Sequence, residues 1–116
     1  MEYTVALVQG IYFFVAGIWP IISIGTFQLV TGPKTDLWLV KTVGIILAVI
    51  GAVLIFAQVN AEINTSIILL AIGSAISLAV VEFVYVSKRV ISAIYLGDAI
   101  IELILTAWWL FDIFVV

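Results

Sequence analysis

The 116-residue chain is 66% hydrophobic and 9% charged, with net charge −3 and mean hydropathy +1.44. Soluble domains average ~45–50% apolar and ~25% charged, so polar groups are too few here to cover a water-facing surface and the composition is that of an integral membrane protein. The absence of Cys and His excludes disulfides, thiolate chemistry, Cys-ligated clusters, His-ligated haem and ordinary zinc sites, and four basic residues make no nucleic-acid patch. No cofactor and no metal are expected.

A spanning helix needs roughly 20 apolar residues, so four spans use about 80–90 and leave room only for connections. The segment Met1-Glu2-Tyr3-Thr4 has no positive charge ahead of the apolar run, which therefore reads as a permanent span and not a cleaved signal. That first run covers about residues 4–30 and stops at the turn cluster Thr31-Gly32-Pro33-Lys34-Thr35-Asp36; Pro20 predicts a kink within it. The second run covers 37–59 and ends in the polar stretch 58–64. The third covers 65–86 and ends at Ser87-Lys88-Arg89, and the fourth covers 90–114. Such runs in lipid are helices, because open strands leave unsatisfied edges and barrels show short alternating segments. The expected fold is all-α: a single domain over 1–116, a polytopic four-transmembrane-helix bundle.

Charge predicts its orientation. Lys34, Lys41, Lys88 and Arg89 all lie at the first and third connections, while the second connection and the termini carry only Glu2, Glu62 and Asp112. The positive-inside rule then places both termini outside and these two connections in the cytoplasm. Trp38 and Tyr85 fall near the inner interface, and Tyr3, Trp108 and Trp109 near the outer one. A multi-pass protein of a prokaryotic inner membrane is the expectation.

Small residues recur on two spans. Gly44, Ala48 and Ala52, with Gly51 beside them, mark the second; Ala71, Ala75 and Ala79, with Gly73 and Ser77 on a neighbouring stripe, mark the third. Such faces let helix backbones approach closely, either inside one chain or across a homodimer. A faint echo also relates Leu37-Trp38-Leu39-Val40-Lys41 to Ile94-Tyr95-Leu96-Gly97-Asp98 and sets Lys41 and Asp98 at similar depth.

The informative residues are the carboxylates. A charge at the centre of a span costs roughly 2.5–3.5 kcal/mol on insertion scales and normally faces the bundle interior. Glu82 lies about one and a half turns inside the third span, Asp98 about two turns into the fourth, and Glu102 one turn deeper. Asp98 and Glu102, four apart, share a helix face with Tyr95 and Trp109. Two carboxylates so close in a poorly hydrated site do not both ionise easily and titrate as a pair. The expected ligand site is therefore a cluster on the inner half of the bundle: Glu102, Asp98, Glu82, Lys41 and Tyr95, rimmed by Lys88 and Arg89, with Gln28 and Thr42 supplying neutral hydrogen bonds. The bland alternative pairs Lys41 with Asp98 and Arg89 with Glu82 as structural bridges. Glu102 fits that alternative least, because no base reaches its depth.

Three functions are compatible. The cluster binds or transports a cation, a proton or a cationic amphiphile; or it does acid–base isomerisation on a lipid- or sterol-like substrate; or it holds a non-catalytic subunit in a membrane complex. Without His, Cys or an activated Ser, hydrolysis is disfavoured, and catalysis is the weaker reading. A cavity with Glu102 unpaired favours the first, an apolar chamber reaching lipid the second, and a closed cluster with every charge paired the third. The lipid bilayer is the expected partner, and the residues leave the ligand unidentified.

Overall fold

The computed structural model describes residues 3–115 and is all-helical: α1 (Thr4–Ile22), α2 (Ile24–Thr31), α3 (Leu37–Val59), α4 (Thr65–Ser87) and α5 (Tyr95–Val115). Glu2, expected on the outer side, lies outside the described residues. Three helices, α1, α3 and α4, are long and apolar enough to cross a membrane. The fifth has 21 residues but carries Asp98, Glu102 and Asp112. Large apolar side chains face outward, with Leu29 85%, Phe114 80% and Ile22 78% exposed, while Gln9, Glu82 and Glu102 are buried. That arrangement suits a lipid surround.

Two runs differ from their expected boundaries. The run 4–30 is two helices, and the break falls at Ser23, three residues beyond Pro20. Proline cannot donate to the preceding turn, and Ser23 takes an extended backbone (φ −146°) whose N–H still closes on the Trp19 carbonyl at 2.9 Å. The run 90–114 is helical only from Tyr95. Here α4 ends with Arg89 in the left-handed region (φ 59°) and the Val90 N–H bonded to the Tyr85 carbonyl at 2.8 Å, a Schellman ending that turns the chain out of the helix. The end of α3 is built alike, with Ala61 at φ 54° and Glu62 N–H on Ala57 O at 2.7 Å. Asn64 then caps α4 by accepting from the Ile67 N–H at 3.0 Å.

The most extensive packing is of α1 on α3 and of α4 on α5. Glycine makes the first possible. A Cβ on Gly10 would lie 2.8 Å from the Gly51 carbonyl oxygen, and one on Gly44 would lie 2.5 Å from that of Gly17. The pairs Gly10–Gly51 and Gly17–Gly44 run the two helices antiparallel, seven residues apart on each. The small-residue face of Gly44, Ala48 and Gly51 is thus used inside the chain, against glycines of α1; Ala71, Ala75 and Ala79 of α4 are also buried, whereas Ala52 and Ser77 are exposed.

The dry core sits at the end that carries the α3–α4 connection. Val5, Ala6, Leu54, Ala71, Leu105 and Trp109 form it. Trp109 is wholly buried and stacks on Tyr3 with centroids 5.6 Å apart. Its indole N–H donates to Gln9 Oε1 at 2.6 Å, and Gln9 Nε2 donates to the Ala71 carbonyl at 2.9 Å. One amide of α1 therefore ties α4 and α5 together.

Candidate functional site

Toward the opposite end, which carries the 32–36 and 88–94 connections, lies a partly enclosed cavity of about 350 Å³. Each element contributes for a local reason. Beyond the Ser23 break, α2 stays in contact with the last turn of α1. The Thr26 hydroxyl accepts from the Trp19 indole at 3.0 Å and lies 2.8 Å from Ser23 Oγ, and Phe27 meets the Trp19 ring edge-on at 5.2 Å. These contacts place Trp19, Phe27, Val30 and Thr31 on one wall. From α1 come Tyr12, Phe13 and Ala16, from α3 Val43 and Leu47, and from α4 Leu78 and Glu82. Ile94, Tyr95, Asp98 and Glu102 complete the lining.

Asp98 is the hub of the polar groups. It occupies the first turn of α5, shallower than the two turns expected, because the helix starts at Tyr95. A helix N-terminus favours a carboxylate. Tyr12, 86 positions away in sequence, donates its hydroxyl to Asp98 Oδ1. The side chains of Glu82 and Glu102 line the same cavity as Asp98. Glu82 is 6% and Glu102 1% exposed, and each keeps one carboxyl oxygen, Oε1, buried without a hydrogen-bond partner. An unsatisfied polar atom in a low-dielectric interior is costly, which makes these two oxygens the unusual feature of the molecule.

Of the expected site residues, Glu102, Asp98, Glu82 and Tyr95 line this one cavity, and Lys41 does not: it is exposed on α3. Lys88 and Arg89 are also exposed, with the Lys88 ammonium 5.8 Å from the Tyr85 ring centroid. Gln28 accepts from the Lys34 N–H at 2.9 Å, and Thr42 donates to the Trp38 carbonyl at 2.7 Å, so both serve their own segments. Among the described residues that line the cavity none is basic. The nearest ammonium is Lys34, which donates to the carbonyls of Thr31 and Gly32, each at 3.1 Å. It also sits over two lining rings, 5.1 Å from the Tyr95 centroid and 5.8 Å from that of Phe27.

Sequence reasoning missed Tyr12, Phe13 and Phe27, and Trp19 beside Pro20 reads as part of the kink and its packing. One signal was present: a phenol deep in an apolar run, three residues from Gln9, needs a polar partner and marks an inward face. No family model matches the chain, and neither a curated protein nor a solved structure does.

Proposed function

We propose that the chain is a four-span membrane protein that binds or transports a cation or protons through the Glu82, Asp98 and Glu102 cluster. The observation that carries this reading is the pair of buried, unpartnered carboxyl oxygens of Glu82 and Glu102 on a cavity lined by a third carboxyl group and no base. Such a group is comfortable only with protons or a positive ligand beside it. Helix α5 serves as the fourth span in this reading. Its 21 residues reach about 32 Å, the thickness of the hydrocarbon layer. Asp98 in its first turn and Asp112 in its last belong at the two interfaces, which leaves Glu102 the one deep charge. The longest dimension of the molecule, 43 Å, matches a bilayer with its headgroups.

With Lys34, Lys41, Lys88 and Arg89 all at the cavity end, the positive-inside rule turns the cavity toward the cytoplasm of a prokaryotic cell. The isomerase reading rests on the same residues, and no further observation favours it. Infrared difference spectra of the purified chain test the proposal. Carboxyl bands that respond to protons or added cations, and lose a component in Glu102→Gln, are the expected result. Bands that respond to neither overturn it.

A further inference from the structure

Resting on that reading, we propose that the ligand is a bulky organic cation, a quaternary ammonium or phosphonium, and not a metal ion. Three features of the cavity point to it. The first is chemical: apart from the carboxyl cluster the wall is apolar and strongly aromatic, with Tyr12, Phe13, Trp19, Phe27 and Tyr95 around it. A hard metal ion asks for six or more oxygen ligands, whereas a weakly hydrated organic cation is held by ring faces and a carboxylate together. Among the described residues no cluster of carboxylates has the arrangement of a metal site.

The second feature is size. A cavity of about 350 Å³ is far larger than a bare cation and falls in the range of small-molecule sites. The third is a cation already in place on the same rings. The Lys34 ammonium sits over Tyr95 and Phe27, so the chain itself shows that these two faces accept positive charge. Those rings and the side chains of Glu82, Asp98 and Glu102 line the same cavity.

The probe is tetraphenylphosphonium, titrated into the full chain in a maltoside detergent and followed by equilibrium dialysis, with tetraphenylborate as the control for partition into micelles. Saturable binding of the phosphonium at one site per chain, without saturable binding of the borate, is expected. Phe27→Leu and Tyr95→Leu each weaken it about tenfold, as does Glu102→Gln. An unchanged thermal melt shows that each variant is folded, and Asp98→Asn replaces Glu102→Gln if that variant does not fold. Competition by dihexanoyl-phosphatidylcholine assigns the quaternary ammonium to a lipid headgroup, and its absence to a free cation; either supports the proposal. Phosphonium binding that is not saturable, or that ignores both ring variants, overturns it. If the carboxyl bands still respond to protons or to an inorganic cation, the acidic-site reading survives that failure. Silence to every probe removes both.

Discussion

Glu102 stands out because a carboxyl group in an apolar run is conspicuous whatever surrounds it. Tyr12, Trp19 and Phe27 do not, since rings occur along every span and only the partner decides which of them matter. Gln9 is the clearest case of a residue whose weight is invisible in the sequence. It is a single amide in an apolar run there, yet in the fold that amide bonds both the Trp109 indole and the Ala71 carbonyl in a fully buried position. Gln9→Leu is expected to cost about 1–2 kcal/mol, measured by denaturant titration in mixed micelles, because it strands a buried indole N–H and a carbonyl. A loss below a few tenths of a kcal/mol would show that both groups find other partners. Lys34→Gln takes the ammonium off Phe27 and Tyr95 and is expected to tighten tetraphenylphosphonium severalfold by dialysis. Weaker binding in that variant would mean that the lysine orders the mouth and does not compete for it.

Among the elements, the α1–α3 pair depends on backbone approach and not on side-chain volume. Lipid supplies no hydrophobic drive between helices, so close van der Waals packing takes its place. Gly17→Val and Gly44→Val put methyl groups against backbone of the facing helix and are each expected to lower stability by about 1–3 kcal/mol or more. Gly73→Ala is the contrasting variant. Nothing lies within 4 Å of its added Cβ, and the reduced chain entropy is expected to leave stability unchanged or raise it by up to about 1 kcal/mol. Equal losses at Gly44 and Gly73 would contradict the packing described. The stripe of Gly44, Ala48 and Ala52, with Gly51 beside it, reads as a packing face, yet Ala52 is exposed and Gly51 makes the contact, because helical periodicity names a face only roughly and never what it meets.

The molecule as a whole is asymmetric along its long axis. One end is closed by Trp109, Leu54, Val5 and Gln9; the other opens around the carboxyl cluster. The molecule is packed at the first end and hollow at the second. The proposed orientation predicts that single cysteines at Thr35 and Ser92, added to a chain that has none, react with an impermeant maleimide only from the cytoplasmic side. A cysteine at Glu62 is expected to react from the other side. Labelling of Thr35→Cys and Ser92→Cys from opposite sides would remove α5 as a span.

Runs long and apolar enough to cross a membrane, helical class and the places along the chain where charge falls follow from the sequence alone, because hydropathy and backbone hydrogen bonding are local properties of each run. Local chemistry also marked the breaks, at Pro20 and after Ser87, though their residues shifted where a serine could extend or an arginine could turn left-handed. The rest is tertiary. That Tyr12 meets Asp98, that Lys41 faces away while Lys34 lies over the mouth, and that aromatic rings from α1 and α2 wall the carboxyls all depend on which helix faces pack together. Contacts between residues tens of positions apart leave no trace in the periodicity of either segment.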